Sequence, residues 1–315
     1  MVLWLEDGRR AAFLPRATDV FIDRTRVSGQ DFRIADRMGA EMRYRELNVF
    51  VALATGLMAL STATSVAAGQ ISDRVYQPAT LADTEVEFRG TPPQAISAQT
   101  ADGLQLQGVY WPPDDGVDQI VVVFHGNAYN HMVSAYRAEP LRVGGRGVLI
   151  ASYRGYGDNP GKPSEAGLYT DAEAWIAKAG ELAPDSRLYV FGFSLGGAVA
   201  IEMAARHEFA GVATMGAFTR LKDMVPGIAR ALVSERYDNL GRIAAVEEPL
   251  LLMHGTKDAE VDPKAATKLE AAGGPNIVRI NLTGGEHWVP LDQLAPRIWA
   301  QWEMLEADQP RAAAP

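Results

Sequence analysis

The chain contains no cysteine. That absence excludes a disulfide framework, a zinc–thiolate site, an iron–sulfur cluster and a cysteine nucleophile in one step. It leaves the compartment open, because a thiol-free chain suits reducing and oxidising surroundings alike. Histidine is scarce, at five residues, and none forms an HExxH pair. A catalytic zinc site is therefore not expected. Basic residues are outnumbered, with 30 Lys and Arg against 39 Asp and Glu, for a formal net charge of −9. Duplex-binding proteins draw most of their affinity from cations on phosphates, so no nucleic-acid partner is expected. Also missing is an unbroken apolar run of the roughly twenty residues that a spanning helix needs. What is present, 315 residues of which 47% are apolar and 22% charged, suits one α/β domain of about 200–250 residues plus an appendage.

The appendage is N-terminal. From Leu47 to Ser72 no residue is charged, and Val49–Leu60 (VFVALATGLMAL) is its apolar heart. Arg43 and Arg45 precede it, and small residues ending in Val66-Ala67-Ala68 follow. A basic start, about a dozen apolar residues and then small ones is the layout of a secretory signal peptide. A retained membrane anchor through residues 47–68 requires counting Ser61, Thr62, Thr64 and Ser65 into the span, and a buried helix is the third reading. Forty-one residues precede Met42, whereas signal peptides begin a chain. Met42 therefore reads as the true first residue, against a short cytosolic extension of an anchored protein. The expected organisation is a poorly structured extension over 1–41, a signal peptide or anchor over 42–70, a catalytic domain over 71–305 and a disordered tail over 306–315.

Beyond residue 80 the pattern alternates strand and helix. Asp102-Gly103 between Gln94–Gln99 and Leu104–Trp111 predicts a hairpin. Ile120–Phe124, Val148–Ser152, Leu188–Phe191, Gly211–Met215, Pro249–Met253 and Ile277–Leu282 are short apolar runs, as in strands covered on both faces. Helical patterns separate them: Met132–Val143, a stretch capped by Ser164 running to Leu182, Ser194–Arg206, Ala265–Ala272 and Leu291–Leu305. The prediction is an α/β fold: a mostly parallel sheet with an antiparallel N-terminal hairpin and helices on both faces.

The chemistry falls on turns after strands. Phe191-Gly192-Phe193-Ser194-Leu195-Gly196-Gly197 follows a strand and opens a helix, and G-x-S-x-G in that setting is a nucleophile elbow. So sharp a turn crowds the residues two before and two after the serine, which must be small. A serine hydroxyl needs a base, and in this chain order the acid follows and the histidine comes last. His207 falls on the helix after the elbow, His131 at a helix start, and His125 and His254 in His-Gly turns. That leaves His287, beyond the last strand, as the base. Asp258 is the expected acid and Asp262 its rival, although Asp262 before Pro263 reads as a helix cap. Two backbone N–H groups are needed for an oxyanion. Leu195 supplies one, and the loop His125-Gly126-Asn127-Ala128 the other, through Asn127 or, second, Ala128.

These blocks, together with Tyr153-Arg-Gly-Tyr-Gly157, Pro163-Ser-Glu-Ala-Gly-Leu-Tyr-Thr-Asp-Ala-Glu173, Ala217-Phe-Thr219 and His254-Gly-Thr-Lys-Asp258, carry a resemblance. From about Ile71 to about Trp302 the chain resembles the α/β-hydrolase superfamily, in particular its serine aminopeptidase-like, bud-emergence-type hydrolases. The resemblance implies an α/β-hydrolase fold and cleavage of an ester or thioester, without cofactor, and N-terminal anchors are common among such proteins. Glycine is usual before the catalytic histidine. Here the residue is Glu286, a carboxylate able to raise the imidazole pKa. The region where lids are inserted, Phe218–Glu248, is short, with Met224, Val225, Ile228 and Leu232 at helical spacing. A short lid implies an open site with Tyr129, Tyr153 and Phe218 near its mouth, suited to a small-molecule or lipid-like acyl substrate. A peptidase of short peptides and a non-catalytic binding protein on the same fold are the alternatives.

The N-terminal pattern makes a direct prediction. Peptide mapping of the natively expressed protein should recover nothing before Met42, with the catalytic domain exported beyond the cytoplasmic membrane. A soluble cytosolic form that yields peptides around Phe21 overturns both.

Overall fold

The computed structural model describes residues 75–308, apart from 83–84, 226–229 and 231–232. The chain divides into two units, Met1–Ala63 and Thr64–Pro315, and the described residues fall in the second. The extension over 1–41 and the uncharged segment read as signal or anchor lie outside the described residues. Among the described residues no helix is long and apolar enough to cross a membrane.

The second unit is organised by an eight-stranded sheet. Its strands are β2 (Gln94–Gln99), β3 (Gln105–Trp111), β4 (Gln119–Phe124), β6 (Gly147–Ala151), β7 (Arg187–Phe193), β8 (Gly211–Met215), β9 (Leu250–Gly255) and β10 (Ile277–Leu282). Their spatial order is β10-β9-β8-β7-β4-β6-β3-β2. The hairpin β2–β3 and the β3–β6 pair are antiparallel, and every other neighbouring pair is parallel. Outside this sheet, two short strands, β1 (Gln77–Pro78) and β5 (Ala128–Tyr129), pair in parallel.

The continuous apolar runs are explained by two covered faces. Alternate residues of each central strand point opposite ways. Val122, Leu149, Val190 and Val212 join a core with Leu168 and Trp175 of α2 (Glu165–Leu182) and Val199 of α3 (Leu195–Ala204). Val121, Ile150, Phe191 and Ala213 join the opposite core, with Ala135 of α1 (His131–Ala138) and Trp299 and Trp302 of α6 (Ala295–Asp308). The remaining helices are a short α4 (Asn239–Arg242) and α5 (Lys264–Ala272). Helix α2 begins as its sequence predicts, with Ser164 Oγ accepting from Gly167 N.

Two sequence expectations change here. The helix expected over Met132–Val143 stops at Ala138, and Glu139–Arg142 forms a 3-10 turn. Pro140 has no N–H to donate back and cannot continue the α-helix. At its start, Asn130 Oδ1 caps the helix by accepting from Met132 N and Val133 N. Helix α6 continues through Asp308, so 306–308 of the expected tail are helical, and 309–315 lie outside the described residues.

Beneath the carboxyl end of the sheet lies a buried polar layer. Arg154 donates to both oxygens of Asp102 and, through Nε and Nη2, to the fully buried Asp171, tying the hairpin to α2. His125 and His131 are buried nearby, and desolvation pushes both imidazoles down to about 4 from 6.5. Each is held neutral, so the unfolded chain binds more protons than the folded one between those values. Their contribution is complete above pH 6.5 and is lost as pH falls toward 4. At about 1.4 kcal/mol per pH unit, the ceiling is about 3 kcal/mol for each histidine. Urea midpoints measured from pH 7 to pH 4.5 should therefore fall steeply, and His131→Gln should flatten that slope. An unchanged slope in the variant refutes the assignment.

Candidate active site

The elbow is built from backbone. Ser194 follows β7 and opens α3 with φ 51 and ψ −113, a positive φ that non-glycine residues rarely adopt. A Cβ on Gly192 would stand 2.3 Å from Gly196 O, and one on Gly196 would stand 2.0 Å from Phe124 O. The two glycines thus let the turn close on itself and on the end of β4. Ser194 N donates to Met215 O at 2.9 Å, tying the elbow to β8. The next residue, Gly216, packs against the His287 ring, where a Cβ would meet Cε1 at 2.8 Å.

Asp258 and His287 come together from two loops 29 residues apart in sequence. Nδ1 of His287 lies 2.8 Å from Asp258 Oδ2. Asp258 Oδ1 accepts from Glu260 N and Val261 N, both at 2.9 Å. Both side chains are nearly buried, Asp258 completely. A carboxylate so surrounded stays oriented and holds the ring by Nδ1, which turns Nε2 outward. A second imidazole reaches the same carboxylate: His254 Nε2 stands 3.0 Å from Asp258 Oδ2 and 3.0 Å from Val261 O. Two acceptors flank that nitrogen, so its proton sits there. The His-Gly turn read from sequence therefore also braces the acid.

Asp262 stands apart from this pair. It is exposed, and its Oδ1 accepts from Lys264 N at the first turn of α5, as a cap does. Glu286, the carboxylate singled out from sequence, is exposed. The carboxylate that faces Nε2 is Glu260, at 3.8 Å. Nothing in its sequence context marks Glu260.

A cavity of about 290 Å³ opens beside His287, walled by Gly126, Asn127, Tyr129, Phe193, Glu260 and Trp288 among others. Ser194 Oγ makes no hydrogen bond among the described residues. In resting sites the nucleophile–base contact is often long and closes on substrate. Leu195 is the first residue of α3, directly after Ser194. Across the cavity, Asn127 O accepts from Gln77 N and from Tyr156 Oη, both at 2.8 Å. Those bonds, with the β1–β5 pairing, order the peptide groups of Asn127 and Ala128. The bracing role of Gln77 and Tyr156 was not legible in sequence.

The three residues expected at the mouth separate. Tyr129 is there, 47% exposed on the cavity wall. Tyr153 is not: it is fully buried, its ring 4.4 Å from His125 and its hydroxyl donating to His125 O. It supports the loop from beneath, because the turn after β6 carries it under β4. Phe218 is also buried, edge-on to Tyr237. Asn239 Nδ2 donates to Phe218 O and draws the 233–238 segment over it. Of the expected apolar stripe, Met224 is 38% exposed, and Ile228 and Leu232 lie outside the described residues.

Residues 115–241 match the family model described as serine aminopeptidase, S33. An uncharacterised Mycobacterium tuberculosis protein is 36% identical over 186 residues, covering 56% of this chain and 66% of that one. Human alpha/beta hydrolase domain-containing protein 17B is 31% identical over 175 residues, 54% of this chain and 60% of that protein. The chain thus spans just under two thirds of the length of these relatives. Among solved structures, a Pyrococcus furiosus esterase superposes with a TM-score of 0.57 at 21% identity, over 73% of this chain and 97% of that one. A Xanthomonas campestris α/β serine hydrolase without a lid superposes with a TM-score of 0.53 at 19% identity, over 71% and 100%. At these identities the likeness is one of fold.

The two aspartates are separable by mutation. Asp258→Asn keeps an oxygen for the two backbone N–H groups but turns its amide toward His287, imposing the wrong tautomer. It should lower kcat by about three to four orders of magnitude, with some loss of stability because the amide also meets the Nε2 proton of buried His254. Asp262→Ala should cost about 1 kcal/mol of stability through the lost cap, with kcat within roughly threefold of wild type, since that carboxylate does not touch the imidazole. Measured kcat and melting temperature decide between them, and the opposite pattern places the acid at Asp262.

Proposed function

We propose, from the premise that this chain belongs to the α/β-hydrolase superfamily and is a hydrolase, that it cleaves a carboxylic ester or thioester through an acyl-enzyme on Ser194. The observation that carries the reading is the buried Asp258–His287 contact at 2.8 Å, formed beside a serine held at positive φ on a strand–helix turn. An isolated hydroxyl at pH 7 is a poor nucleophile, and this arrangement supplies what it lacks.

In the proposed reaction His287 Nε2 takes the proton of Ser194 as Oγ attacks the acyl carbonyl. Asp258 holds Nδ1–H and stabilises the imidazolium. The N–H groups of Leu195 and Asn127 receive the negative charge on the carbonyl oxygen, at the N-terminus of α3 where the helix dipole favours it. The imidazolium then protonates the departing alcohol or thiol. Water, deprotonated by the same imidazole, hydrolyses the acyl-enzyme and restores Ser194. Every proton passes through one imidazole, so no cofactor is called for. Export or membrane tethering through residues 47–68 belongs to the same reading, and places the substrate outside the cytoplasmic membrane.

A peptidase acting on short peptides is the second reading, favoured by the description of the family model that 115–241 match. Nitrophenyl esters of rising chain length, run beside acyl-CoA and aminoacyl amides, separate the two. A fluorophosphonate probe should label Ser194, and Ser194→Ala should abolish both labelling and ester turnover. Labelling retained on another serine, or absent in an enzyme that still turns over esters, overturns the proposal.

A further inference from the structure

One cation on the cavity wall has no carboxylate partner among the described residues. Arg137 lies near the end of α1, half-buried, on the wall shared with His287, Trp288 and Glu260. Its guanidinium carbon stands over the Tyr129 ring at 4.7 Å and over the Trp288 ring at 5.1 Å. Among the described residues the group makes no ion pair and no hydrogen bond. Elsewhere arginines settle on carboxylates: Arg154 on Asp171, Arg187 on Asp118, Arg206 and Arg242 on Glu202.

Stacking on aromatic rings holds the plane of a guanidinium but leaves its in-plane N–H donors unsatisfied. Those donors form a fork that fits the oxygens of a carboxylate or phosphate. Two ring contacts restrain this side chain before any ligand arrives, which lowers the entropic cost of binding. Glu260 does not neutralise it, standing instead beside His287 Nε2. The cavity is thus polarised, with a carboxylate at the imidazole and a free cation on the wall formed by α1. The net charge of −9 repels anions at long range, so anion attraction must come from a local group.

We propose that Arg137 is the anion-binding residue of this site, and that the ester or thioester substrate carries a carboxylate or phosphate group. The inference rests on the hydrolase reading above. Trp288 adjoins His287 in sequence, and its ring packs edge-on against Phe193, beside Ser194. Arg137 and His287 line one cavity of about 290 Å³, so an anion held at Arg137 lies within the same small molecule as the bond cleaved.

Two pairs of esters test the proposal on the full chain. Mono-nitrophenyl glutarate against nitrophenyl valerate places the charge on the acyl side. The acetyl ester of 4-hydroxybenzoate against that of 4-hydroxybenzamide places it on the leaving side. In at least one pair, kcat/KM for the anionic ester should exceed that of its neutral partner by about tenfold or more, the scale of one charge-assisted hydrogen bond. Arg137→Gln should collapse that ratio toward one, Arg137→Lys should restore part of it, and added salt should lower it. The neutral ester is the denominator, so general damage to the enzyme divides out. Calorimetric binding of glutarate, weakened in Arg137→Gln, provides a readout without turnover. Active enzyme with no preference in either pair, or glutarate binding indifferent to Arg137, overturns the anion site and leaves the hydrolase reading standing. Arginine-dependent glutarate binding with no turnover of any ester and no probe on Ser194 overturns the hydrolase reading and leaves the anion site.

Discussion

Two stretches of main chain meet at Gly196, where a Cβ would fall 2.0 Å from the carbonyl oxygen of Phe124 and 2.5 Å from that of His125. No side chain separates the elbow that carries Ser194 from the strand end that leads into the 125–128 loop. The distance between Ser194 and that loop, the proposed nucleophile and the proposed source of an oxyanion donor, is therefore set by peptide groups, the stiffest components available. The same device recurs at Gly255, where a Cβ would fall 2.1 Å from Glu286 O. That contact sets the end of β9, which leads to Asp258, directly against the residue before His287. Pre-organisation of this kind is what electrostatic catalysis requires, since donors that must first move lose much of their advantage.

Backbone contact alone does not hold a loop in shape, and the layer beneath the site supplies the rest. Tyr153 and Tyr156 donate to the carbonyls of His125 and Asn127, from below and from the side. Burial keeps the imidazoles of His125 and His131 neutral, so these two rings add bulk without charge, and the charge in this layer is the paired Arg154 and Asp171. Charge is concentrated where it has a function: on Asp258, which collects two imidazoles and two backbone N–H groups, and on the cavity wall at Arg137 and Glu260. A domain that is acidic as a whole thus presents a site with an independent charge pattern.

Much of this was legible in the residues. Runs of β-branched and apolar residues marked the parallel strands, because a strand buried on both faces has no polar side. Asp102-Gly103 marked the hairpin, and Gly192 and Gly196 marked the elbow. Asp262 read correctly as a cap, since Asp before Pro-Lys accepts a local N–H whatever the tertiary fold. The failures have two causes. Tyr153 and Phe218 sit at the correct end of the sheet, but sequence order does not say which side of a loop a ring occupies, and both rings turn inward. Helix α1 was overdrawn because its apolar period continues past Pro140, where a missing N–H outweighs the pattern.

What the sequence determined by itself is therefore everything local: the strands and most helices, the elbow, and the order Ser194, Asp258, His287 along the chain. Those depend on steric and hydrogen-bonding rules that act over a few residues. Only the tertiary structure decided that His254 shares the carboxylate of Asp258, that Glu260 rather than Glu286 faces Nε2, and that Arg137 lies over Tyr129 and Trp288 with no counter-ion among the described residues. His254 and Asp258 lie four residues apart, but the carboxylate is shared with His287 from another loop, and the other two cases join groups from separate elements, at distances set by how the sheet packs. No spacing along one chain encodes such distances, because a side chain's electrostatic partners are chosen by proximity in space.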